Sequence, residues 1–150
     1  MNNYYYSQKY GGYAKEVIIP GPIMSNKGCA ITCAAMLISY FNDSALYPDD
    51  FLHWLHEHNG LTSDGRLLYE SVCKATNYKL RMSTVANPKL GETTYCIREV
   101  WKKGRAGQQH FVFDHPSIPG KVIDPIDGSV KNYTNEHTYT GKNIFFIGKR

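Results

Sequence analysis

Residues 28–41 read GCAITCAAMLISYF, a dense apolar run with no proline and no glycine after its first position. Polar residues flank this run on both sides, Ser25-Asn26-Lys27 before it and Asn42-Asp43-Ser44 after it. An apolar run of this length between polar boundaries is typical of a buried helix. We therefore expect a helix over residues 30–41, with Cys29 in its first turn.

Two shorter helices are predicted after this one. Pro48 starts a segment in which Asp49 and Asp50 suit the positive end of a helix dipole, and Asn59-Gly60 marks its end. A third helix is predicted over residues 63–76, where apolar residues recur on one face. We expect both helices to pack beside the first.

The chain after Pro88 has the β-branched and aromatic content of strands. Four strands are predicted, over residues 93–100, 109–113, 121–124 and 143–147. Proline and glycine within residues 114–120 indicate a hairpin loop, and Asp127-Gly128 indicates a tight turn. The sequence thus predicts a single α+β domain over residues 1–150, with N-terminal helices packed on a C-terminal antiparallel sheet.

Length and composition fit one folded domain, since 42% of the 150 residues are hydrophobic and 20% are charged. The formal net charge of +4 favours polyanionic partners only weakly. Lys102, Lys103 and Arg105, which follow Trp101, form a basic cluster without interleaved stacking aromatic residues. Nucleic-acid binding is therefore not expected.

The first six residues, MNNYYY, contain neither a basic segment nor a continuous apolar segment, so we expect no secretory signal. No later stretch is long and apolar enough to span a bilayer. We expect the protein to stay in the cytoplasm of the cell that makes it, unless lysis, a phage particle or a dedicated secretion machine releases it.

The four cysteines, at positions 29, 33, 73 and 96, show neither a C-x-x-C pair nor the spacing of a zinc site. We expect free thiols rather than a disulfide framework, because a chain of this length can be held by its core. His53, His56 and His58 around Glu57 fit neither H-E-x-x-H nor H-x-x-E-H. No metal or other cofactor is expected.

Cys29 is the thiol best placed to react. The start of a helix carries a partial positive charge and unpaired N–H groups, which favour the nucleophilic thiolate. Gly28 would let a substrate backbone approach, and the Cys29 N–H could face a developing oxyanion. The position of Cys29 in the sequence fits equally well with a buried cysteine that has only a packing role. Cys33, one turn further on, is expected to pack behind Cys29.

A thiol nucleophile needs an imidazole partner and a group that orients this imidazole. His110 starts one predicted strand and Asp124 ends the next, so a hairpin would bring both side chains to one edge of the sheet. A lone histidine in a strand is usually structural. The combination of His110 with Asp124 and Cys29 indicates a catalytic arrangement.

Several stretches of the chain resemble papain-like cysteine peptidases, in particular the bacteriocin-processing (double-glycine) branch. The similar stretches are Ser7-Gln8, KGCAIT at 27–32, AAML at 34–37, QHFV at 109–112 and VIDPIDG at 122–128. The resemblance implies a papain-like fold with Cys29 as nucleophile, His110 as general acid/base and Asp124 as its orienter. It also implies that Gln8 donates an amide hydrogen to the oxyanion. Gln8 lies further upstream of the nucleophile than in papain.

The function expected from these residues is hydrolysis of peptide bonds through a Cys-His-Asp triad. A compact basic hydrolase suits a phage or bacterial lysin that cleaves cell-wall peptides. Bacteriocin-processing members act beside a transporter domain, which these residues do not contain, so their substrate is not expected. Two alternatives remain open: a toxin or effector that deamidates or transfers acyl groups with the same triad, and a catalytically silent module that binds peptides. The sequence leaves the oligomeric state open.

Overall fold

The computed structural model describes residues 2–104, 107–132 and 137–150. Four helices come first in the chain: α1 Met24–Lys27, α2 Cys29–Asn42, α3 Pro48–Glu57 and α4 Glu70–Ala75. Six strands follow: β1 Leu80–Ser83, β2 Thr93–Lys102, β3 Gln109–Asp114, β4 Lys121–Asp124, β5 Ser129–Asn132 and β6 His137–Gly148. Of the basic cluster after Trp101, Arg105 and the Lys102 side chain lie outside the described residues.

All six strands form one antiparallel sheet in the order β1-β6-β2-β3-β4-β5. The expected α+β class is confirmed, and the four predicted strands are present. The sequence missed β1 and β5, which occupy the two edges of the sheet. An edge strand buries few side chains, so its apolar alternation is weak: β5 reads SVKN, and its Val130 is exposed.

Helix α2 packs against the sheet, mainly against β3 and β2, and forms the centre of the core. Every residue from Ile31 to Phe41 is buried. Helices α3 and α4 both contact α2. Cys29, the first residue of α2, lies near His110 at the beginning of β3, since both residues line one cavity.

Gly28 separates α1 from α2 and makes Cys29 the first residue of a new helix. The Gly28 N–H donates to the Met24 carbonyl at 2.9 Å, and a Cβ at position 28 would lie 2.6 Å from the same oxygen. Only glycine fits this close approach without a shift of the backbone. The sequence indicated only a polar boundary at Ser25-Asn26-Lys27, so the short helix α1 was missed.

The prediction of a third helix over residues 63–76 is wrong for the first half of that range. Helix α4 covers only Glu70–Ala75, and residues 61–69 form a loop closed by a bridge between Leu61 and Leu67. Gly65 has φ +84°, which a right-handed helix does not allow. The Thr62 hydroxyl accepts a hydrogen bond from the Arg66 N–H and donates to Asp64. These local bonds satisfy the loop without a helix.

The longest described helix, α2, has 14 residues. Within the described ranges, no helix combines the length and the apolar composition that a bilayer crossing requires.

Candidate active site

Cys29 opens onto a cavity of about 970 Å³ between α2, the loop at 62–69 and the start of β3. Its side chain is half-buried, whereas the other three cysteines are buried. No described residue accepts a hydrogen bond from the Cys29 N–H, as expected for the first residue of a helix. Cys29 is therefore the one described thiol that a molecule in this cavity could reach.

The other cysteines are unsuited to react. Burial raises the pKa of Cys33 well above its usual range, and the Cys33 thiol donates to the Phe111 carbonyl at 3.5 Å. Burial also raises the pKa of Cys73 to about 11 and that of Cys96 to about 12. Because only the thiolate is a good nucleophile, these thiols are inert near neutral pH.

His110 lies beside Cys29 and links it to Asp124. The Nε2 atom of His110 lies 2.7 Å from Asp124 Oδ1, and the ring lines the same cavity as Cys29, close enough for the thiol to raise the pKa of His110. Burial disfavours the charged imidazolium, but the hydrogen bond to Asp124 and then the influence of the Cys29 thiol outweigh it and raise the pKa of His110 to about 9. His110 is thus favoured as an imidazolium at neutral pH.

Asp124 is buried at the end of β4, where four donors reach its two oxygens. Oδ1 accepts from His110 and from the Ile126 N–H at 3.0 Å, and Oδ2 lies 3.1 Å from Lys131 Nζ and 3.2 Å from His137 Nε2. Burial alone would raise the pKa of Asp124, but the hydrogen bonds from His110 and His137 hold it well below its usual range. The carboxylate therefore stays charged and fixed in position.

The sequence did not point to His137 or Lys131. His137 is 7% exposed, and its ring centroid lies 5.9 Å from that of His110. Both residues reach Asp124 through β5 and the first half of β6, the parts of the sheet that the sequence did not predict. No local motif marks either position, so these two residues could be identified only from the way in which the strands pair.

The candidate oxyanion donor Gln8 lines the same cavity as Cys29 and His110. Its backbone N–H donates to the Pro125 carbonyl at 2.6 Å, which fixes the N-terminal segment beside Asp124. Its amide Nε2 donates to the carbonyls of Met24 at 3.4 Å and Ser25 at 3.2 Å. The structure therefore brings Gln8 to the site, with its amide nitrogen held by α1.

Gly128 and Asp127 form the turn that supports this contact. Gly128 has φ +73°, and a Cβ there would lie 3.2 Å from the Tyr6 carbonyl carbon. Asp127 accepts from the Ser129 N–H and hydroxyl at the turn. Asp127 is thus a turn residue, as the sequence indicated.

Tyr69 is a second residue that the sequence did not single out. It lines the cavity, and its buried hydroxyl has no hydrogen-bond partner among the described residues. Burial, followed by the nearby Cys33 and Cys29 thiols, raises the pKa of Tyr69 above its usual range. A neutral, buried hydroxyl without a partner among the described residues therefore lies in the wall of the cavity that contains Cys29.

Within the described ranges, one group of three side chains could hold a metal ion: His110, Asp124 and His137, with ligand atoms within 4.8 Å of one another. Their hydrogen bonds to each other account for this proximity, and Lys131 brings a positive charge to the same carboxylate. Of the histidines around Glu57, His58 stacks its ring on that of Trp54, with the two ring centroids 4.1 Å apart.

A half-buried thiol, an imidazole and a fixed carboxylate in this order can carry out acyl transfer. Comparisons of the chain with protein-family models, with curated proteins and with solved structures found no match. Any assignment of function therefore depends on the geometry of Cys29, His110 and Asp124.

Proposed function

We propose that the protein is a papain-like cysteine peptidase, with Cys29 as nucleophile, His110 as general acid/base and Asp124 as the group that orients the imidazole. The observation that carries this proposal is that Cys29 and His110 line one cavity, in which the His110 ring is held at 2.7 Å by the buried Asp124 carboxylate. The class of reaction is hydrolysis of an amide bond.

The first half-reaction forms a thioester on Cys29. The thiolate attacks the carbonyl carbon of the amide, and a C–S bond forms as the oxygen takes the negative charge. The Cys29 N–H is the candidate donor to this oxyanion, and Gln8 Nε2 becomes a second donor only when it leaves the Met24 or Ser25 carbonyl. The His110 imidazolium then gives its proton to the amine, and the C–N bond breaks.

The second half-reaction restores the enzyme. The now neutral His110 takes a proton from water, and the resulting hydroxide attacks the thioester carbon. The C–S bond breaks, the carboxylic acid product leaves, and Cys29 returns to the thiolate beside an imidazolium. Asp124 keeps the ring in place throughout, because its carboxylate stays charged and bonded to His110 Nε2.

For the substrate we favour peptides, and among these the cell-wall peptides that a phage or bacterial lysin would cleave. The cavity is lined by three lysine or arginine residues, Lys27, Arg66 and Lys142, and by one aspartate, Asp64. Arg66 is paired with Asp64 at 3.0 Å. Lys142 lies 3.9 Å from Glu99, so Lys27 and the His110 imidazolium are the positive charges that favour a peptide with carboxylate groups.

Digestion of purified cell wall by the wild type and by Cys29→Ala in parallel tests this function. We expect new amino termini from the wild type only. Release by both proteins, or by neither, would contradict the proposed substrate. Mass spectrometry of the products separates peptidase activity from deamidation, because deamidation changes the mass of a peptide without cutting it.

A further inference from the structure

A second cavity, of about 470 Å³, shares no lining residue with the one at Cys29. Two acidic residues at the start of α3 and five tyrosines line it, together with Gly12. We call these seven side chains the tyrosine cradle: Tyr5, Tyr6, Tyr10, Tyr13, Tyr47, Asp49 and Asp50.

The rings of the tyrosine cradle are grouped in pairs and partly fixed. Tyr6 lies 5.5 Å from Tyr47 and Tyr10 lies 5.2 Å from Tyr13, measured between ring centroids. The Tyr5 hydroxyl bonds to His115 at 2.9 Å, and the Tyr6 hydroxyl bonds to Ser39 at 3.1 Å. These two hydroxyls are thus engaged outside the cavity, and the rings supply its wall.

Negative charge lies directly beside these rings. Asp49 is half-buried and Asp50 is exposed, and neither forms an ion pair with any residue in the described ranges. Burial, and then the Asp49 carboxylate, raise the pKa of Tyr13 to about 12, as expected for a carboxylate close to that ring. The dipole of α3 explains two acids in its first turn, but it does not explain five tyrosines around them.

We propose that the tyrosine cradle binds the alkylammonium group of a lysine side chain in a peptide. Aromatic rings attract cations through their electron-rich faces, and an unpaired carboxylate beside them supplies the counter-charge. A primary ammonium also donates hydrogen bonds to carboxylates, which a quaternary ammonium cannot do. This site does not depend on the proposed peptidase function, because it shares no residue with the Cys29 cavity.

Sugars also stack on tyrosine rings, but a neutral sugar would leave both carboxylates without a counter-charge.

The full chain, labelled with ¹³C at tyrosine, can be titrated with four probes and followed by NMR. The probes are a short peptide with one lysine, the same peptide with norleucine, tetramethylammonium and a neutral chitin oligomer. We expect saturable shifts of cradle tyrosines with the lysine peptide and at least about tenfold weaker binding of the other three.

Two variants assign the shifts to the tyrosine cradle. Asp49→Asn with Asp50→Asn, and separately Tyr10→Leu, should each weaken lysine-peptide binding about tenfold or more. Tyr10 is 63% exposed, so its replacement should leave the fold intact even if the double variant does not fold. The matched controls are Glu57→Gln, at the other end of α3, and Tyr78→Leu, an exposed tyrosine elsewhere.

Several outcomes would overturn the proposal. Equal binding of the norleucine peptide would show an apolar site, preferred binding of tetramethylammonium would indicate a quaternary headgroup, and preferred binding of the chitin oligomer would indicate a glycan site. Unchanged binding in Tyr10→Leu, or no saturable shift, would also contradict it. Cys29→Ala should bind the lysine peptide as the wild type does, so a failure here and a failure of the peptidase proposal are distinguishable.

Discussion

His110 at the start of β3 and Asp124 at the end of β4 meet at 2.7 Å, although their strands pair only at Phe113 and Asp114. The hairpin brings both side chains to one edge of the sheet, where the first residue of α2 is Cys29. Asp124 is 2% exposed and receives donors at both oxygens. The Asp124 carboxylate is therefore held in one position, and it orients the His110 ring.

Replacement of Asp124 by asparagine should lower the rate of hydrolysis about 10³-fold or more, because the His110 ring loses the acceptor that holds its orientation. The substitution also leaves Lys131 and His137 beside a neutral amide, so we expect a loss of about 2–4 kcal/mol in the free energy of unfolding. Steady-state kinetics and urea unfolding measure the two effects.

Asp127→Asn is the matched control, since Asp127 lies in the same turn and is half-exposed on its side chain. It should keep both rate and stability close to those of the wild type. If Asp127→Asn lowers the rate and the stability as much as Asp124→Asn does, the structure of the turn, and not the Asp124 carboxylate, determines both.

His137 is expected to act as a positioning residue through Asp124. His137→Ala should lower the rate about 10- to 100-fold, because a buried hydrogen bond to a charged group is lost. It should also shift the alkaline midpoint of the pH–rate profile to higher pH, since the loss of a donor to Asp124 leaves more of the carboxylate charge to stabilise the His110 imidazolium. His137→Gln, which keeps a donor, should recover part of both. A lower rate with an unchanged pH profile would indicate a merely structural role.

The pH dependence of stability should report the His110 interaction. The folded-state pKa of His110 is about 9, against 6.5 when unperturbed, so the folded state binds this proton more tightly. The contribution of this proton to the free energy of unfolding is then fully present below about pH 6.5 and is lost as the pH rises through about 9. The loss in the free energy of unfolding is on the order of 3 kcal/mol. Urea unfolding between these limits should show this loss in the wild type, and His110→Ala should show a flatter profile. Parallel profiles would contradict the raised pKa.

Tyr69→Phe separates a role in binding from a role in folding. The Tyr69 hydroxyl has no partner among the described residues, so its removal should not lower the melting temperature. If the hydroxyl donates to bound substrate, kcat/KM should fall about tenfold. Tyr40→Phe, which removes a buried hydroxyl outside the Cys29 cavity, is the control for general effects on the core. No change in kcat/KM would exclude Tyr69 from substrate contact.

Much of the arrangement could be predicted from local sequence. The buried helix, its start at Cys29 and the strands that carry His110 and Asp124 follow from apolar runs and turn residues, because these signals are local. His137 and Lys131 could not be predicted, since they reach Asp124 only through the register of β5 and β6. The loop at 61–69 was misjudged because Leu67 and Leu68 were placed on one helical face with Val72, although Asp64-Gly65 is a turn signal.

The reactivity of Cys29 toward iodoacetamide at about pH 6 tests the central claim most directly, because a free cysteine is almost wholly protonated there. A thiol held beside an imidazolium at the start of a helix should be alkylated much faster than free cysteine, and mass mapping should place the label on Cys29. His110→Ala should remove this advantage. A Cys29 that reacts no faster than free cysteine in the folded wild type would contradict the proposed nucleophile.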